Sequence, residues 1–251
     1  MKKKTLLICL ISAGIAAAGG AAVFSKSSQG SQGAISQAEL CTPAEKLSAK
    51  KELKKKMLDS LQYFDTAKGT VAYGNRRLNL AAMSQYELRT KGTPFLYEKT
   101  TQENGASEEV AFDGKETVIQ VDHQKKAYKQ QIVEQTPDDL LQAEQISLRA
   151  ADMVNGILKN EDQWDVVSEE SILGLPVFVV QGELGKELQK RDGASTLKVW
   201  IHKDTGIVLR MEEYNQKGEP VIYVSTQSIT INGPVDESKG KLVPPSDYQS
   251  M

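Results

Sequence analysis

The chain has 251 residues, of which 39% are hydrophobic and 25% charged, enough apolar material for a globular domain with a sizeable core. The net charge is −2, and setting aside Lys2, Lys3 and Lys4 leaves a body at −5. A mildly acidic body argues against a phosphate-backbone partner, which needs a clustered basic surface, so no nucleic acid is expected.

Met1–Lys4 is basic, and Thr5–Phe24 is an uncharged run of 20 residues. That length suits either a cleaved signal peptide or a retained membrane anchor, and both place the body outside the cytoplasm. Residues 25–41 are rich in Ser, Gln and Gly and read as a flexible tether. Cys9 lies in the apolar run, which leaves Cys41 alone in a processed chain, so no internal disulfide is expected.

A folded domain is expected over residues 42–235. Thr42, Pro43 and Glu45 form a helix start, with a capping side chain, a proline at the first turn and a reciprocal acid. The helix should run to about Phe64, with Leu53, Met57, Leu58, Leu61 and Phe64 on its apolar stripe. Its other face carries Lys46, Lys50, Lys51, Lys54, Lys55 and Lys56. These suit either a solvated face or a basic surface near anionic headgroups.

Short strands follow at Gly69–Gly74, Ser84–Thr90, Phe95–Thr101, Glu108–Phe112, Lys115–Val121 and Lys125–Ile132. Asn104-Gly105 and Asp113-Gly114 are hairpin signals, and Asp122-His123-Gln124 makes a further turn. Thr136-Pro137-Asp138-Asp139 opens a second helix, predicted to about Lys159, with Leu141, Leu148, Ala151, Val154 and Leu158 on one face. Strands Trp164–Ile172 and Pro176–Glu183 come next, and Gly185–Asp192 reads as a loop with at most one helical turn.

Thr196–Ile231 reads as three consecutive strands, Thr196–Lys203, Ile207–Tyr214 and Val221–Ile231, joined by turns that contain Gly206 and Gly218. Leu197, Val199 and Ile201 alternate with Lys198, Trp200 and His202, so one face is buried and one wetted. Trp200 either packs on the outward face or, with the opposite curvature, lines the interior. Residues 236–251 form a polar tail, in which Lys241–Pro245 could make one edge contact. So many short strands at regular spacing indicate a sandwich, a barrel or a large curved sheet.

Two segments carry a resemblance. One is Ala111-Phe112-Asp113-Gly114-Lys115 with the hairpin after it. The other is Leu197-Lys198-Val199-Trp200-Ile201, followed by Lys203-Asp204-Thr205-Gly206 and Val208-Leu209-Arg210-Met211-Glu212. Together they resemble the LolA-like superfamily over roughly residues 50–235. Its members include outer-membrane lipoprotein carriers, the N-terminal domain of RseB-type regulators and Gram-positive membrane-anchored homologues. The resemblance implies a mainly β, α+β fold: a curved antiparallel half-barrel sheet whose concave face is covered by helices. It also implies an apolar cavity for a lipid acyl chain or lipidated protein, or, in the regulator branch, a membrane-protein partner. The candidate lining is the alternating apolar set Tyr86, Leu88, Phe95, Tyr97, Phe112, Ile119, Val121, Val199, Ile201, Leu209 and Met211.

No residue pattern points to catalysis, a metal or a cofactor. His123 and His202 stand alone, and no nucleophile elbow or phosphate loop occurs. Glu169/Glu170 and Glu212/Glu213 are adjacent in strands, so each pair splits across the two faces of a sheet instead of converging on one proton.

Overall fold

The computed structural model describes residues 43–131, 148, 150–156 and 158–250. The apolar N-terminal run, the tether, the Thr42 cap and the second predicted helix up to residue 147, with Asp138 and Asp139, lie outside the described residues. Among the described residues, no helix is long and apolar enough to cross a membrane.

The first meander comprises β1 (Thr66–Asn75), β2 (Leu80–Arg89), β3 (Phe95–Gln102), β4 (Ser107–Phe112), β5 (Glu116–Val121) and β6 (Lys126–Gln131). The second comprises β7 (Trp164–Ile172), β8 (Leu175–Glu183), β9 (Thr196–His202), β10 (Val208–Tyr214) and β11 (Pro220–Ile231). The first and last of these strands, β1 and β11, pair antiparallel and join the two meanders into one sheet. Its order is β12-β6-β5-β4-β3-β2-β1-β11-β10-β9-β8-β7, where β12 is the two-residue strand Gln249–Ser250. The ends do not meet, so the sheet is a curved, unclosed antiparallel half-barrel.

Turn chemistry fixes the register. Leu173 (φ 53°) and Gly174 (φ 79°) form a two-residue loop between β7 and β8, and two positive φ values match the twist that such hairpins require. Register then decides which side chains share a face. Leu88 stands opposite Ala67 and Leu96, and Leu96 opposite Phe112. Across the seam, Tyr73 stands opposite Val224, Val224 opposite Met211, Met211 opposite Val199, and Val199 opposite Val180. These positions form one continuous inner face, and all of them but the partly buried Tyr73 are buried.

Helices lie against this inner face near β7. Helix α1 (Pro43–Leu58) sends Lys50 over the Trp164 ring at 5.3 Å and into an ion pair with Asp165 at 2.7 Å. The Trp164 indole N–H donates to the Leu158 carbonyl at 3.1 Å, which holds the segment after α2 (Ala150–Asn155) on the same face. Leu53, Met57, Leu148, Met153, Val154 and Leu158 join the sheet's core.

Several boundaries differ from expectation. The first helix ends at Leu58; a 3-10 turn at Ser60–Gln62 replaces its last turn and still buries Phe64. Helix α2 stops at Asn155, ahead of Gly156, and the Leu158 N–H closes back on the Met153 carbonyl at 2.9 Å. Residues Lys186–Asp192 form helix α3, two turns ended by Gly193 in the left-handed region, where a loop was expected. The basic face of α1 is partly spent within the molecule. Lys50 and Lys54 bond Glu161, Lys56 bonds the Lys203 carbonyl, and Lys51 and Lys55 are exposed.

The tail is bound to the sheet. The Asp236 N–H donates to Glu87 at 2.9 Å, Glu237 pairs with Arg89, and Tyr248 donates its hydroxyl to Asp122 at 2.7 Å. The edge contact is made by Gln249–Ser250, parallel to Lys126 and Ala127 of β6, and not by Lys241–Pro245.

Candidate functional site

The register sorts the eleven candidate lining residues. Tyr86, Leu88, Phe112, Ile119 and Val121 share the inner face of the first meander. Val199, Ile201 and Met211 share the inner face of the second, and Leu209 is fully buried at an irregularity in the β9–β10 pairing. Phe95 and Tyr97 do not belong to this set. They stand opposite Arg89 and Glu87, so they occupy the outer face. There Gly240 of the tail packs on the Phe95 ring, where a Cβ would come within 2.7 Å, and Lys239 lies 5.2 Å from the Tyr97 ring.

Trp200 is on the outer face as well. It is buried between Lys198 and Arg210, at 4.6 and 4.7 Å from the ring, and its indole N–H donates to Glu170 at 2.8 Å. His202 is buried at the neighbouring turn, with Nδ1 2.8 Å from the Thr205 hydroxyl. Burial pulls its pKa below the ordinary histidine value, against the opposing pull of Asp204. Among the described residues, no three His, Cys, Asp or Glu side chains cluster as they would around a metal ion.

The inner face is not uniformly apolar. In the middle of the sheet Glu98 of β3 stands opposite Tyr86, and the two are 1% and 2% exposed. Ser84 donates its hydroxyl to Glu98 at 2.5 Å, and Thr100 donates to the same oxygen at 3.3 Å. Tyr86 crosses β1 at Gly69, and its hydroxyl is buried without a hydrogen-bond partner. Burial raises the phenol pKa well above the ordinary value. Thr226, opposite Val71 on the other side of β1, also buries its hydroxyl without a partner.

A second polar position is Glu213, on the inner face opposite Leu197 and Ile222. It is 2% exposed, while its neighbour Glu212 faces outward to Arg210 and Tyr214. Burial, and then the nearby Asp192, push the Glu213 pKa up to about 7 against the pull of Arg191. The adjacent acids are therefore split between the two faces.

Two open clefts lie on the outer face. One, of about 240 Å³, is lined by Lys68, Thr70, Gln85, Glu87, Tyr97 and Lys239 among others. The other, of about 310 Å³, is lined by Met83, Gln85, Lys99 and Thr101. Burial opposes ionisation of Glu87, but Lys239 and the Asp236 amide outweigh it and hold the carboxyl below its ordinary range.

No protein-family model matches the sequence, and no curated protein matches it. Among solved structures, the fold is similar to that of MucB, with a TM-score of 0.50 and 17% identity over 80% of this chain and 65% of that one. The chain therefore spans about two-thirds of the length of MucB. Lower similarity is found to the Pseudomonas aeruginosa MucA/MucB complex (TM-score 0.48, 16% identity, 80% of this chain and 62% of that one). The Mycobacterium tuberculosis lipoprotein LppX gives a TM-score of 0.44 and 14% identity over 76% of this chain and 98% of that one. The likeness is one of fold: this chain has the LolA-like fold.

Proposed function

We propose that this protein is an extracytoplasmic, non-catalytic binding module that holds an acyl chain, of a lipid or a lipidated protein, between the inner sheet face and its helical cover. One observation carries the reading. A single apolar face runs across both meanders from Phe112 through Leu88 to Met211 and Val199, and it meets helices instead of a second sheet. Each methylene moved from water into such a site contributes about 0.8 kcal/mol, so part of a chain suffices for useful affinity. The inner face is closed in this structure, with Leu88, Val199 and Met211 at most 2% exposed, so an incoming chain must displace part of the cover. Native mass spectrometry of protein purified from a lipid-rich host tests the reading. A bound species of acyl-lipid mass, released by organic extraction, supports it; bare polypeptide with no uptake of fluorescent acyl probes refutes it.

A second reading is a membrane-tethered regulator that binds a membrane-protein partner. The closed inner face, set against open polar clefts at Lys68 and Met83 on the outer face, favours it. In-cell cross-linking distinguishes the two: a discrete membrane-protein adduct supports the regulator, and its absence counts against it.

A further inference from the structure

The last four described residues, 247–250, are held as a bound peptide is held. Asp247 pairs with Lys125 at 3.0 Å, and the Tyr248 hydroxyl donates to Asp122 at 2.7 Å. Asp122 is itself fixed in place, because Ser107 and Gln120 donate to the same carboxylate. The Gln249 N–H donates to the Lys125 carbonyl at 2.8 Å, and Gln249–Ser250 then run parallel to Lys126 and Ala127 on the edge of β6. An ion pair, a hydroxyl bond and strand addition together read one short sequence, an acid followed by a tyrosine, in extended form. The hold on it is light. Asp247, Tyr248 and Gln249 are outside the hydrophobic core, and the Lys125–Asp247 pair is exposed on both sides, at 68% and 58%. Such a pair contributes about 1 kcal/mol or less. Just before it, Leu242–Ser246 make no hydrogen bond to the sheet among the described residues, and Val243 is 84% exposed. The rest of the tail has its own anchors at Glu87 and Arg89, so residues 247–250 can leave their seat with the sheet intact.

We propose that the start of β6, with Asp122 and Lys125, is a docking site for an extended acid-tyrosine segment of a partner protein, and that residues 247–250 are an internal copy which that segment displaces. The occupant follows from complementarity. Lys125 takes the carboxylate, Asp122 takes the phenol hydroxyl, and the β6 backbone takes the strand. The site lies at the edge of the sheet, so it is independent of what the inner face holds. A copy tethered by a short flexible linker competes at an effective concentration of roughly millimolar, so the internal segment sets the threshold that a partner must exceed.

The test titrates the full chain with a fluorescent peptide of residues 244–250, Pro-Pro-Ser-Asp-Tyr-Gln-Ser. Weakening the internal copy by Asp247→Asn together with Tyr248→Phe is expected to tighten peptide binding at least about tenfold, because the tethered competitor is lost. Adding Lys125→Ala, at an exposed position, should reverse that gain. In the parent chain the peptide should speed hydrogen exchange of the Gln249 amide, which a peptide bound elsewhere would leave unchanged. A peptide that fails to bind the weakened variant, or binds it equally well with Lys125→Ala, overturns the proposal. Dimers of the parent chain that Asp247→Asn with Tyr248→Phe dissolves would give the seat to the tail of a second copy and overturn it as well.

Discussion

Tyr86 lies across Gly69, and the missing side chain of that glycine is what lets it do so. A Cβ at residue 69 would sit 3.0 Å from the Tyr86 hydroxyl and 2.2 Å from the Ser228 carbonyl oxygen. The second contact is with backbone at the seam between the two meanders and cannot be relieved by a side-chain rotation. Gly69→Ala is expected to destabilise the fold by about 2–3 kcal/mol, the upper range for overpacking, and to lower Tm by several degrees. Thermal unfolding followed by circular dichroism measures this.

Tyr86→Phe should behave in the opposite sense in the ligand-free protein. It deletes a buried hydroxyl that has no partner and keeps the ring. Stability should be unchanged or higher by about 1 kcal/mol, as read from urea unfolding midpoints at constant slope. A loss above about 1 kcal/mol would show that the hydroxyl has an internal partner.

Glu213 makes stability depend on pH in a defined window. Its pKa is raised to about 7, so the folded state holds a proton that the unfolded chain releases near its ordinary value of 4.5. Stability contributed here is present below about pH 4.5, falls as pH rises to about 7 and is level above, with a cost on the order of 3 kcal/mol. The charged and titratable groups around it are Asp192 and Arg191. Asp113, Asp122 and Asp236 have lowered pKa values, so their opposite trend falls at more acid pH. Glu213→Gln should match the parent protein near pH 5 and exceed it in Tm at pH 8. Equal curves at both pH values would show that the carboxyl is not buried in solution.

The tail should behave as an edge guard. Residues 236–250 cover Phe95 on the outer face and pair with the edge of β6. Deletion of residues 236–251 exposes an aromatic patch and lengthens an open strand edge, a template for pairing between chains. The truncated chain is expected to lose several degrees of Tm and to associate with rising concentration in light scattering. A monomer of undiminished Tm would contradict this role.

Much of the sheet is readable in the residues because turn signals and strand alternation agree. Asp113-Gly114 and Asn104-Gly105 each sit between strands that form. The faces are harder to read. In β3, Phe95, Leu96 and Tyr97 are consecutive and bulky, so alternation alone cannot say which parity is buried. The pairing of Leu96 with Leu88 decides it, and that is a long-range fact. The same register buries Glu98, which by residue type belongs in water. Strand β1 shows only faintly in the sequence because Gly69, Ala72 and Gly74 are weak strand formers, although it is the seam of the whole sheet. Glu213 could have been placed inside from its parity with Leu209 and Met211, but its charge argues the other way.

The most direct test of inner-face binding is photolabelling with an acyl chain that carries a diazirine near its middle, followed by peptide mapping of the cross-linked sites. Labelling is expected on inner-face residues of both meanders, Leu88 and Phe112 on one side and Val199 and Met211 on the other, and it should be competed by unlabelled acyl ester. Labelling confined to the outer face around Met83 and Tyr97, or no competed labelling at all, would contradict it.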